Sequence, residues 1–361
     1  MKIQSQGLKR KYSKHSDEYM EEIEEVLFSG SYILGDKVKQ FENEFSSYLG
    51  VPYVIGVASG LDAIKIACRA LGIGSGDEVI MAANVYSACA LAVTTVGAKP
   101  ILVDCNRYKN IDITKIENAI TKNTKAIMAV HMFGQSCNMD AIWRLANKYC
   151  LYVIEDCSQA HGAIYSNQKI GAQSDIACFS FFPTKNLGAF GDGGCIATRN
   201  DLFVSKCQVL RNYGQKDKGN YIELGYNSRL DEIQAAILKV GLKYLEENNT
   251  ARQRIAERYL QEINNKKLIL PETQPLSTNV WHQFVVECEN RDEMCSYLKE
   301  NGIETLIHYP KPFYLCPAFE YLGYKQGDFP NAEKLTFSLP IYPELSYAEQ
   351  SRIIKLLNEK I

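Results

Sequence analysis

None of the 12 cysteines forms a C-x-x-C pair, no two of the five histidines stand four residues apart, and no apolar run reaches membrane-spanning length. Each absence removes a class of protein. The thiols are scattered, and several (Cys68, Cys89, Cys178, Cys207) sit inside apolar runs, as buried reduced thiols do and as a secreted disulfide framework does not. Without helically paired histidines a zinc site has no support, so no metal is expected. The opening stretch Met1 to Gln6 has no apolar h-region, which points to a cytoplasmic chain that neither spans nor binds a membrane. Charge of one sign is missing too: 40 basic residues face 42 acidic ones, a net charge of -2, with none of the basic excess that nucleic acid demands. The first strand-like run is followed by Ala58-Ser59-Gly60-Leu61 where a dinucleotide fold needs G-x-G-x-x-G, and no G-x-x-x-x-G-K-[ST] occurs anywhere. Internal repeats and low-complexity tracts are absent as well.

What is present is an α/β rhythm. The 361 residues are 46% hydrophobic and 23% charged, enough for a large core divided between two domains. Tyr53–Val57 reads as a strand, and Leu61, Ile64, Cys68 and Leu71 after it fall on one helix face. Strand and helix then alternate through 78–81, 86–96, 99–104, 125–130, 139–149 and a strand ending at Asp156, a pattern that predicts a mostly parallel sheet between helices. The glycine-punctuated SGSYILG at 29–35 looks like a loop feeding an amphipathic helix through Val38, Phe41, Phe45 and Tyr48. Later come a strand at 196–198, a helix over 204–210, and a long helix carrying Leu230, Ile233, Ile237 and Val240, with a second helical stretch to about Ile263. We divide the chain into a large domain, 1–245, and a small C-terminal α+β domain, 246–361. The small domain should hold a strand at 282–287, a helix at 291–300, a strand at 303–307 and a closing helix from about Ala348.

Two segments carry chemistry. Phe179-Ser180-Phe181-Phe182-Pro183-Thr184-Lys185 places a lysine among aromatic neighbours ahead of Gly191-Asp192-Gly193-Gly194. Such an amine is either a desolvated nucleophile of lowered pKa, able to form a Schiff base, or a solvated loop lysine. Upstream, an apolar strand delivers Asp156 at its carboxyl end, where open α/β sheets bind ligands. A lysine to hold the aldehyde and a carboxylate to keep the ring nitrogen protonated are what pyridoxal phosphate (PLP) requires; otherwise Asp156 is a capping or loop carboxylate. Ser59-Gly60 between a strand and a helix makes a phosphate cradle or an ordinary N-cap. Tyr86 is placed either to stack on a flat cofactor or to pack in the core.

Taken in order, Ser59-Gly60-Leu61-Asp62-Ala63, His131-Met132-Phe133-Gly134-Gln135, Glu155 to Gly162, the Lys185 segment and Gly225 to Ala236 resemble the nucleotide-sugar aminotransferases of the PLP fold-type I (aspartate aminotransferase) superfamily. The likeness implies that Lys185 holds the cofactor and moves the proton, that Asp156 faces the pyridine nitrogen, that Gln159 approaches the ring hydroxyl and that Tyr86 stacks on the ring. It further implies a phosphate site made by the backbone at Gly60 and Leu61, the Ser180 hydroxyl and Asn227 from a second subunit. The active sites would then be shared across a homodimer. Read without the family, Asn227 is a helix cap. His161, Arg211, Tyr213, His308 and Tyr309 are candidates for the substrate pocket, although His161 also reads as a satisfied strand-end neighbour and Arg211 and Tyr213 as surface residues. The presence of Lys185, where some relatives carry histidine and dehydrate, implies transamination. L-glutamate is the implied donor, and His308-Tyr309-Pro310-Lys311-Pro312-Phe313 resembles enzymes acting at C-3 of a dTDP-linked 6-deoxyhexose. The alternatives are a C-4 keto-sugar or keto-cyclitol substrate, or a PLP-binding regulator without catalysis.

Overall fold

The computed structural model describes residues 2–360. Seven short apolar runs make one sheet: β1 (Tyr53–Val57), β2 (Glu78–Ala82), β3 (Lys99–Val103), β4 (Thr124–Val130), β5 (Tyr152–Asp156), β6 (Ile176–Ser180) and β7 (Gly194–Thr198). Their spatial order is β1-β7-β6-β5-β4-β2-β3. Only β7 runs against its neighbours; the pairs from β6 to β3 are all parallel. Ile127, Met128, Val153, Ile154 and Ala177 are fully buried, as expected where helices cover both faces.

Three helices precede the sheet: α1 (Leu8–Lys14), α2 (Ser16–Ser29) and α3 (Asp36–Leu49). Crossovers between strands follow as α4 (Gly60–Ala70), α5 (Ser87–Thr95), α6 (Ile113–Ala119) and α7 (Met139–Tyr149), then come α8 (Asp201–Arg211), α9 (Glu232–Lys243) and α10 (Leu245–Glu262). The starts of α4, α7 and α8 are fixed by Ser59, Asn138 and Asn200, whose side-chain oxygens accept first-turn N–H groups that the helix leaves without partners.

Beyond α10 the chain forms β8 (Phe284–Glu287), α11 (Arg291–Glu300), β9 (Thr336–Leu339) and α12 (Tyr347–Glu359). β8 and β9 pair antiparallel. Here a second core gathers Tyr259, Phe284, Leu298, Phe337 and Ile353, and Ile3 from the far end of the chain joins it. Phe313, Tyr314, Phe319 and Phe329 pack instead into the first core.

The expected helices at 139–149 and 291–300 and the strand ending at Asp156 are where the sequence pattern put them. The expected strand at 303–307 is not formed. Ile303 makes a single bridge to Ile3 and Leu306 one to Ser338, so no neighbour runs alongside for a ladder's length. Residues 8–29, left unassigned by the pattern, are helical; α2 buries only Tyr19 and Val26, too thin an apolar face to announce a helix.

Candidate active site

The site is assembled at the carboxyl ends of β4, β5 and β6. Asp156 closes β5, with its Cα opposite Val130 of β4 and Cys178 of β6, and its carbonyl accepts the His131 N–H at 3.1 Å. Its carboxylate is buried. Oδ1 accepts the Ser158 N–H at 3.0 Å and Oδ2 accepts the Cys89 thiol at 3.1 Å. Lys185 lies in the turn after β6, pinned where its own N–H donates to the Phe182 carbonyl. Among the described residues its ammonium finds no ion pair. Burial lowers the Lys185 pKa to about 8, against the opposing pull of Asp156 and Cys89 nearby.

Gln159 links the strand end to the groove beyond it. Its Oε1 accepts the Phe133 N–H at 2.8 Å, while its Nε2 donates to the Tyr309 hydroxyl at 3.3 Å. Tyr309 in turn lies 5.2 Å from the ring of Tyr86, which stands at the start of α5 and is half exposed. His308 is held between Ser338 Oγ and the Gln283 amide, each 2.9 Å away, and burial followed by the charge of Lys185 lowers its pKa to about 4. Tyr86, Phe133, His308, Tyr309, Lys311 and Lys334 line a groove of about 560 Å³.

On the other side, Ser59 caps α4, and the geometry of a first helical turn leaves the N–H groups of Gly60 and Leu61 free for an anion. Gly60 is required there: a Cβ would stand 2.5 Å from the Cβ of Ser180. Ser180 ends β6, and its hydroxyl accepts the Phe182 N–H at 3.3 Å. These features fit PLP: an amine of lowered pKa, a buried carboxylate across from it, and a cradle of N–H groups and a hydroxyl that any larger residue at 60 would fill.

Not every candidate comes to the groove. Arg211 donates to Glu42 Oε1 at 2.6 Å and to the Gly56 carbonyl at 2.8 Å, an internal ion pair away from it. Tyr213 is part exposed, with the Arg229 guanidinium 5.1 Å above its ring. His161 is fully buried between Phe179 and Phe181, and its ring nitrogens have no close hydrogen-bond partner among the described residues. Burial and then Lys185 lower its pKa to about 3. Asn227 is exposed and bridges Asn212; the cap of α9 is Asp231, which removes the helix-capping role for Asn227.

The sequence reading missed Cys89, although its position three residues after Tyr86 puts both at the same end of α5. It missed Lys11 as well, which donates to the Gly188 carbonyl at 3.0 Å and lines a second cavity with Lys185 and His308. No helix among the described residues is long and apolar enough to cross a membrane.

A mostly parallel sheet with a buried aspartate at one strand end, a lysine after the next strand and a glycine-lined cradle define a PLP-dependent aminotransferase of fold-type I. Residues 13–358 match the DegT/DnrJ/EryC1/StrS aminotransferase family, and the chain belongs to that family. It is 47% identical to the dTDP-3-amino-3,6-dideoxy-alpha-D-galactopyranose transaminase of Aneurinibacillus thermoaerophilus, covering 96% of each chain. Among solved structures, it matches Streptomyces venezuelae DesV in complex with a ketimine intermediate at a TM-score of 0.98 and 41% identity, over 99% of this chain and 98% of that one. It also matches NtdA of Bacillus subtilis with bound cofactor PMP, at a TM-score of 0.88 and 36% identity, over 95% and 81% of the two chains.

Proposed function

We propose that this enzyme transfers the amino group of L-glutamate to C-3 of a dTDP-linked 3-keto-6-deoxyhexose. The observation that carries the substrate is the 47% identity, over nearly all of both chains, to a transaminase named for a dTDP-3-amino-3,6-dideoxyhexose. The groove of about 560 Å³ carries Lys311 on its wall, which brings positive charge toward a diphosphate.

PLP, when bound, supplies an electron-poor ring that accepts the negative charge left on the substrate carbon as its proton departs. The protein's own groups do the rest. Lys185, with its pKa near 8, takes up and returns that proton close to neutral pH, base in one direction and acid in the other. Asp156 keeps a proton on the ring nitrogen, and the Gln159 amide, already oriented by the Phe133 N–H, faces the ring hydroxyl. Tyr86, half exposed at the start of α5, would cover the ring. The Gly60 and Leu61 N–H groups and the Ser180 hydroxyl would hold the cofactor's phosphate, and Asn227 of the partner subunit would complete the set.

The last assignment requires a homodimer. Its support is the exposure of Asn227 beside Leu224, 85% exposed, and of Phe28 on α2, 83% exposed. Tyr221 and Ile222 are exposed with Leu224, and a run of open apolar side chains fits a surface that another protein covers. To test the function, the holoenzyme is mixed with L-glutamate and its cofactor spectrum followed, then a panel of keto-sugar nucleotides is added. Return of the original spectrum with a dTDP-3-keto-6-deoxyhexose is expected. Return only with a 4-keto sugar or a keto-cyclitol rejects the substrate, and inertness to every donor favours a PLP-binding regulator.

A further inference from the structure

We propose that Cys89 is a positioning residue for Asp156, its thiol holding the carboxylate in the orientation that faces the cofactor site. The inference rests on the assignment of Asp156 to the ring nitrogen and says how that carboxylate is kept in place. Cys89 is 1% exposed and lies in the first turn of α5, the helix that also carries Tyr86 at its start. Its Sγ is 3.1 Å from Oδ2, and the Ser158 N–H is 3.0 Å from Oδ1. Each oxygen therefore has one donor from the protein, one on α5 and one in the turn after β5, and each keeps a lone pair for a ligand. Two donors fix the plane of a carboxylate; one leaves it free to turn.

The thiol is the donor. Burial, and next the negative charge of Asp156, push the Cys89 pKa well up, so that the sulfur keeps its proton beside the carboxylate. A thiol is also a weaker donor than a hydroxyl. It restrains Asp156 while drawing less charge from Oδ2 than a serine or threonine would, and Oδ2 stays basic enough to hold the ring nitrogen's proton. Lys185 lies near enough to Asp156 for the carboxylate to act on its pKa, and the protonated thiol adds no charge of its own, so α5 acts on the site through the orientation of Asp156.

The first test needs neither cofactor nor activity. Thiol S–H stretching falls in an infrared window free of other protein bands, and a wild-type minus Cys89→Ala difference spectrum of the cofactor-free protein isolates this one thiol among the 12. Its band should lie at the lower frequency of a bonded thiol and move up in Asp156→Ala; a band at the same frequency in both proteins overturns the proposal. Should Cys89→Ala not fold, Cys89→Ser serves as the subtrahend. The second test is kinetic. Cys89→Ala is expected to slow both half-reactions about tenfold, the scale on which loss of a supporting hydrogen bond is felt, with KM for donor and acceptor unchanged. Cys89→Ser should recover most of that loss. Unchanged rates in Cys89→Ala, or a rise in KM alone, overturn the assignment. If the enzyme proves not to transaminate, the infrared result still stands or falls on its own.

Discussion

Two groups of buried or half-buried polar side chains in this molecule are built on opposite lines. At the start of α12 the Glu349 carboxylate is saturated: Arg10 donates to its two oxygens at 2.6 and 2.8 Å, and the Ser346 N–H and hydroxyl each donate at 2.9 Å. Around Lys185 the groups are left short of partners. The lysine has no ion pair among the described residues, both nitrogens of His161 are bare, and Asp156 has one donor per oxygen. The pKa values record the contrast, because Arg10 and the Ser346 donors hold Glu349 down at about 2 while burial holds Lys185 down at about 8. Saturated groups tie the α1 segment to the C-terminal helix; unsaturated ones are held ready for something that is not protein.

The sharpest way to break the contrast is to remove Lys185. Lys185→Ala should lower both half-reactions about a thousandfold or more, the upper range for loss of a positioned acid-base group, and borohydride treatment of the holoprotein should leave no label at position 185. The same change should leave the cofactor-free protein at least as stable as wild type, measured by urea unfolding, because it deletes a charge that folding desolvates. Destabilisation by Lys185→Ala would place the lysine with the saturated groups. Asp156→Asn comes next. Its amide cannot hold the ring nitrogen protonated, and we expect about a hundredfold loss in the rate of both half-reactions, with a smaller change in cofactor affinity.

Glu349→Gln reverses the pattern. Activity per folded molecule should be unchanged, while stability at neutral pH should fall by about 1–3 kcal/mol, the scale for a partly buried carboxylate that loses charged partners. The sign follows from the direction of the shift. A carboxylate whose pKa goes from 4.5 to about 2 on folding stabilises the native state above pH 4.5 and loses that contribution as pH falls toward 2. Urea midpoints of wild type and Glu349→Gln should therefore converge over that interval. Coincident curves would show that Arg10 and Glu349 contribute nothing to the fold, and curves parallel at a constant offset would show that the charge on Glu349 is not what stabilises it.

The saturated group was the less legible of the two in the sequence. Ser346 and Glu349 spell a capping box, but Arg10 lies 339 residues away, and nothing local announces a helix at 8–14. The places of Lys185 and Asp156 were legible because the alternation of strands and helices puts both just past strand ends. Arg211 pairs with Glu42, a contact the sequence does not reveal, because a basic residue near a motif looks the same whether it meets a ligand or a carboxylate of its own chain. Cys89 was hidden in an apolar run, where a thiol reads as packing; only the 3.1 Å contact with Asp156 sets it apart. The missing strand at 303–307 has the same origin as Arg10, since an extended segment is a strand only where a distant partner runs beside it.

The smallest expected effect tests the open side of the comparison most directly. Capture of PLP by the cofactor-free protein requires a neutral amine at position 185, and the desolvated site puts the midpoint of that ionisation near 8, in place of 10.5 for a free lysine. The capture rate, followed by stopped-flow absorbance, should rise through pH 8 and level off before pH 10. In Asp156→Asn the pull that favours the charged amine is gone, so the midpoint should move lower still. A midpoint near 10 in wild type would mean that solvent reaches the amine freely and that the site is no less saturated than the surface around it.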